Sequence, residues 1–315
     1  QLGAVFYTLA QDSSQERPTF ERQTHSCLVC HSSSRTGGIP GHLVRSVYAK
    51  ESGHPVLSAG THTVDHTTPL ENRWGGWYVT GEHGEQRHLG NLIVDDLPVA
   101  SRVDNATGLN LLSLADRLNT ARYLTPHSDL VALMLLEHQV LVHNRITQAS
   151  YTTRQALAYN AMMNEALEYP EEHRLESTTR RIQSAGDKLV EALLLVGEAP
   201  LTAPVRGTSG YAEVFTAAGP RDSRGRSLRD LDLTRRMFKY PCSYLIYSEA
   251  FAQLPGEMRD YVWGRLEAIL SGADDSSTFA HLSPEDRQAV LEILRETLPN
   301  LPENWGGTGA AGSAD

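Results

Sequence analysis

Beyond about residue 105 the apolar residues recur in helical period. Val131, Leu135, His138, Val142 and Ile146 follow one another at spacings of four, three, four and four, which places them on one helical face. No glycine or proline interrupts the chain between Pro126 and Pro170. Thr125-Pro126 reads as an N-cap followed by a first helical proline, so one long helix is predicted from there towards Pro170. A second helix is predicted after Pro170, ending near Gly197. Further helices are expected over 228–239, 256–270 and 284–298. Ser283-Pro284-Glu285-Asp286 resembles a capping box with Asp in the Glu or Gln position. The stretch 199–227 holds Pro200, Pro204, Gly207, Gly210, Gly219, Pro220 and Gly225 and reads as loop.

The first hundred residues lack this period. Segments 45–49, 55–58 and 77–80 read as short strands, with a turn at 51–53. Asn72-Arg-Trp-Gly-Gly-Trp-Tyr78 sets three large aromatic residues around two glycines. The expected fold class is mainly α: an irregular N-terminal segment with short β-strands (1–104), packed on a larger α-helical region (105–305). The tail 306–315 is Gly, Ala, Ser, Thr and one Asp, a composition expected to be disordered.

Composition narrows the function classes. The 315 residues include 38 acidic and 28 basic side chains, a formal net charge of −10, which disfavours a nucleic-acid binder. No run approaches the ~20 apolar residues of a membrane span. The chain starts at Gln1 rather than Met, and is read as a mature product from which a signal segment has been removed. There is no nucleotide-binding or Gly-x-Ser-x-Gly pattern, and no Glu-x-x-His pair of the di-iron type. The 222–232 segment lacks the closing Glu of an EF-hand and reads as a turn leading into a helix. Glu165, Glu168, Glu171, Glu172 and Glu176 read as a solvated face.

Three cysteines, an odd number, do not make a disulfide framework. Two of them form Cys27-Leu28-Val29-Cys30-His31, the C-x-x-C-H signature of covalent haem attachment. Two thiols three positions apart can each add to one haem vinyl group, and the following imidazole then lies under the iron. On these five residues the chain resembles the c-type cytochromes. Its layout resembles uncharacterised bacterial proteins that join one such motif to a long helical region. The resemblance implies one covalent haem c on Cys27 and Cys30, with His31 as proximal iron ligand. It implies an extracytoplasmic, periplasmic electron-transfer protein with redox partner proteins or a larger redox assembly around it. A haem enzyme or gas-binding sensor with an open distal site is the rival, and a structural subunit of a redox assembly is another. Two other chemistries fit the cysteines. Zinc would use Cys27 and Cys30 with His62 and His66, or with His83 and His88, although the gap is long for a compact zinc finger. A redox dithiol would leave His31 unexplained.

None of the five methionines lies within a hundred residues after the motif, so a nearby Met ligand is not expected. His138, on the apolar stripe, is the first candidate for a sixth ligand, since an unpaired imidazole is costly to bury. Its alternatives are His66, His83 and His143. A core histidine bonded to backbone is the competing reading of His138, and Met134 shares its face. His42, His54 and His62 read as solvated loop histidines. Trp74, Trp77 and Tyr78 suit either a haem face or ordinary core packing. Arg73 and Arg45 are candidates for a haem propionate. Cys242 reads as a small buried residue.

Overall fold

The computed structural model describes residues 3–12, 14, 16–94, 104–298, 301, 302 and 305. The expected tail lies outside them. Strand β1 (Phe6–Leu9) pairs antiparallel with β2 (Phe20–Gln23). The Cys-x-x-Cys-His motif folds as a single helical turn, α1 (Leu28–His31). Strand β3 (Arg45–Val47) then pairs antiparallel with β4 (Thr61–Thr63). Thereafter the fold is helical: α2 (Leu130–Ala166), α3 (Glu176–Leu193), α4 (Tyr211–Ala217), α5 (Glu249–Ala252), α6 (Gly256–Leu270) and α7 (Pro284–Thr297). Among the described residues the fold is mainly helical, with two small two-stranded sheets. No helix among the described residues is long and apolar enough to cross a membrane.

The 37-residue α2, about 56 Å at 1.5 Å per residue, is the spine. Its expected stripe of Val131, Leu135, His138, Val142 and Ile146 is buried throughout. The stripe passes through two hydrophobic clusters in succession. Leu130, Val131, Met134 and Leu135 pack with Trp74, Val79, Phe215 and Phe238. Val142, Ile146, Ala149 and Ala156 pack with residues of α3, α6 and α7.

Several boundaries differ from the sequence reading, each for a local reason. Helix α2 starts at Leu130, not Pro126. The Asp129 carboxylate accepts hydrogen bonds from the amides of Val131 and Ala132, which is N-cap geometry. Just upstream, the backbone pairs with Thr80 instead of coiling: Thr80 N–H donates to Ser128 O at 2.7 Å, and Leu130 N–H to Thr80 O at 2.9 Å. The helix ends at Ala166. Beyond it, Glu168 takes a positive φ of 54°, and the amides of Asn160 and Asn164 both donate to the His173 carbonyl, turning the chain into α3. The 199–227 loop contains α4. No helix forms over 228–239. Asp232 there accepts from the amides of Thr234 and Arg235, an Asx turn that competes with helix. Leu233 has φ 56°, and Leu231 bridges Phe238 in hairpin fashion. Of the expected strands, 45–49 is represented by β3. In 55–58 only Pro55 bridges, to Ala49, and in 77–80 only Thr80 bridges, to Asp129. The 256–270 and 284–298 helices form as α6 and α7. Ser283 caps α7 by accepting from the Asp286 amide at 3.0 Å, while the Asp286 carboxylate receives Arg236.

A buried polar seam joins the N-terminal segment to α2. Arg73 pairs with Glu137 at 2.8 Å, with both side chains almost fully buried. The guanidinium also donates to the carbonyls of Thr68 and His66. One position along the helix, His138 meets His66 with their Nδ1 atoms 2.9 Å apart. Arg73, read as a candidate propionate partner, is thus engaged inside the protein. Arg45 donates to the Thr61 hydroxyl. Trp74 is buried in the core against His88.

The buried ionisable groups set an expected pH dependence. Burial pushes His66 down to about 4 and His88 down to about 3. Both stay neutral in the fold while the unfolded chain titrates near the ordinary value of 6.5. Between these values the unfolded chain binds more protons, so these groups weaken folding as pH falls from about 6.5 towards 4. Burial pushes Glu137 and Glu198 up to about 7, and they act in the opposite sense from pH 7 down to about 4.5. His88→Asn, which keeps an acceptor for the Gly90 amide, is expected to remove one proton from this balance. Urea unfolding between pH 6.5 and 4.5 then shows a slope against pH lower than the parent's, by about 0.7 kcal/mol per unit at pH 6.5 rising to about 1.4 at pH 4.5. Identical slopes would show that His88 titrates normally in the fold.

Candidate functional site

The single turn of α1 explains the motif spacing. Positions i, i+3 and i+4 of a helix share a face, so Cys27, Cys30 and His31 lie on one side of the turn. Both cysteines are free, Cys27 partly exposed and Cys30 exposed. His31 is half-buried, and its ring packs on Phe6 of β1 with centroids 4.5 Å apart. His31 Nδ1 lies 3.0 Å from the Gly41 carbonyl oxygen. A carbonyl only accepts, so Nδ1 carries the proton and Nε2 carries the lone pair. Among the described residues Nε2 makes no hydrogen bond. The Gly41 amide donates back to the His31 carbonyl at 2.8 Å, closing the loop behind the motif.

This donor set fits a covalently attached haem. Two accessible thiols share a face with an imidazole whose tautomer is fixed for ligation through Nε2. Ligating histidines characteristically donate their other nitrogen to a carbonyl or carboxylate. An apolar side chain of the motif itself lacks cover: Val29 is 77% exposed, the surface type a porphyrin would occupy.

The proposed sixth ligands are placed elsewhere. His138 is completely buried, and both its nitrogens are bonded: Nδ1 to His66, Nε2 to the Ser243 hydroxyl at 2.8 Å. As folded, it offers no lone pair to a metal. His66 shares that cluster. His83 is buried against His88, and its Nε2 accepts from the Asn110 amide at 3.2 Å. His143 alone of the four comes near the motif, its ring 5.6 Å from that of His42. His42 follows Gly41, whose carbonyl holds His31 Nδ1. The zinc arrangement is not assembled either. His62 is exposed on β4, His66 is turned to His138, and no three His, Cys, Asp or Glu among the described residues come together as metal ligands. Cys242 is buried, and burial pushes its thiol up to about 12.

One residue, Asn144, escaped the sequence reading. His42 beside it is exposed in a loop, as expected, and its ring also approaches those of Phe6 and His143. Burial first, then the charges of His143 and His31, hold its imidazole below 6.5. Asn144 receives the loop that follows the motif. The available signal was an Asn in mid-helix, where its side chain competes with the backbone.

A scan against protein-family models finds no match to this chain, and searches of curated proteins and of solved structures find none.

The His66–His138–Ser243 chain predicts a structural cost. His138→Ala strands two buried polar partners and opens a cavity. Urea unfolding should show a loss of about 3–5 kcal/mol. A loss below about 1 kcal/mol would mean that the cluster contributes little.

Proposed function

We propose that this chain is a monohaem c-type cytochrome that transfers electrons between redox partners outside the cytoplasm. Haem c is joined to Cys27 and Cys30, and His31 is the proximal iron ligand. The observation that carries the reading is the state of His31: its Nδ1 proton is held by the Gly41 carbonyl and its Nε2 lone pair is free, beside two unpaired thiols on the same face of one helical turn. The haem, when bound, supplies a reversible one-electron change at iron.

The chain's own residues set the conditions for that change. The Gly41 carbonyl fixes the ring orientation of His31 and raises its basicity as a ligand, which favours the ferric state. Phe6 packs on the imidazole and limits its rotation. The exposed apolar group of Val29 offers a surface from which a bound macrocycle would displace water. The net charge of −10 favours partners with a basic docking surface, and the helical region supplies further surface for a larger redox assembly.

A second reading, a haem enzyme or gas-binding sensor with an open distal position, is favoured by one observation. His138, the first candidate for a sixth ligand, has both nitrogens bonded, and His66 and His83 are each bonded through one.

The deciding measurements are intact mass and absorption spectra of the purified protein. The mass should exceed the chain by one haem that resists acid-acetone extraction, and His31→Ala should destroy the native ferric and ferrous spectra. A low-spin spectrum unresponsive to carbon monoxide supports electron transfer. A high-spin ferrous form that binds carbon monoxide supports the second reading. A colourless protein refutes both.

A further inference from the structure

We propose that Asn144 is a positioning residue for His31, acting through the single peptide unit between Gly41 and His42. The inference rests on the proposed haem ligation by His31. That peptide unit carries the Gly41 carbonyl and the His42 N–H, and a trans peptide is rigid and planar. Its carbonyl accepts the His31 Nδ1 proton at 3.0 Å, and its N–H donates to Asn144 Oδ1 at 3.0 Å. The Asn144 amide nitrogen donates in turn to the His42 carbonyl at 2.8 Å. One side chain on α2 therefore pairs with both backbone polar groups of His42, across 102 residues of sequence.

Two physical consequences follow from this geometry. Mechanically, Asn144 fixes the plane of the peptide, and hence the direction in which the Gly41 oxygen meets the imidazole. Electronically, a peptide whose N–H is already donating has a more polarised carbonyl and is a stronger acceptor. Asn144 thus reaches the electron density on His31 Nε2 without touching the ring. Position 41 fits the device. A Cβ built on Gly41 would lie 2.6 Å from Asn144 Oδ1, so only glycine lets the amide come this close.

The experiment compares parent, Asn144→Leu and Asn144→Asp in the full chain. Leu keeps volume and removes both hydrogen bonds, whereas Asp keeps the acceptor for the His42 amide. In the haem-bearing protein, the Leu variant should have a higher midpoint potential. The expected shift is about a tenfold fall in the ferric-to-ferrous ratio at fixed ambient potential, 59 mV for one electron. The Asp variant should stand at or below the parent value. In the full chain carrying Cys27→Ala and Cys30→Ala, nitrogen NMR above pH 7 should show His31 protonated at Nδ1. Adding Asn144→Leu should give a mixture of tautomers.

An unchanged potential with an unchanged tautomer overturns the proposal. If Asn144→Leu does not fold, Gly41→Ala decides: its Cβ displaces the amide, so its potential must also rise, and a parent-like value overturns the proposal. A parent chain without covalent haem refutes the proposed function, while the tautomer comparison still decides the role of Asn144.

Discussion

The Arg73–Glu137 ion pair is the contact on which the arrangement of this protein turns. Two charges taken out of water are costly unless both are fully bonded. Here the guanidinium has a carboxylate and two carbonyls as acceptors. Removing Glu137 would leave the guanidinium, which cannot shed its charge, buried without its carboxylate, a loss of about 3–5 kcal/mol. A Glu137 left without Arg73 can instead neutralise by protonation. The pair therefore fixes the irregular N-terminal chain at one place along α2. Its neighbours, the His66–His138 contact and the Ser243 hydroxyl, extend the same seam to the loop ahead of α5. A purely apolar interface would allow the segment to slide along the helix. A seam of directional bonds does not.

That constraint also explains why His138 serves the fold rather than the site. A histidine on an apolar stripe must satisfy two nitrogens, and sequence alone does not show which partners arrive. Here the partners are an imidazole 72 residues upstream and a hydroxyl 105 residues downstream. Periodicity therefore shows that His138 is buried, and says nothing of what it bonds. The same limit applies to His42. A loop residue after Pro-Gly carries no signal that a helix a hundred residues later will receive it.

The parts legible in the sequence were those governed by local physics. The α2 stripe, the course of α6 and α7, and the Ser283 cap follow from spacing and capping chemistry within one element. The motif was legible because its geometry is contained in five residues. Illegible parts depended on distant partners or on side chains competing with the backbone. The start of α2 moved because Thr80 pairs with the chain at 128–130. The 228–239 helix is absent because Asp232 and Leu233 favour a tight turn. The pairing of His66 with His138 required the fold itself.

The separation between the motif and its receiving helix has a consequence for biogenesis. At roughly 5–20 residues per second, the span of 102 residues between His42 and Asn144 corresponds to about 5–20 s of synthesis. During that interval Cys27, Cys30 and His31 have emerged and their long-range partner has not. The thiols are then carried on a chain without its final restraint, open to oxidation against each other and to whatever machinery modifies them. Arrival of α2 closes that interval: the nascent segment passes from a reactive, freely rotating state to an oriented one. The order of the chain thus separates the emergence of the motif from the geometry later imposed on it.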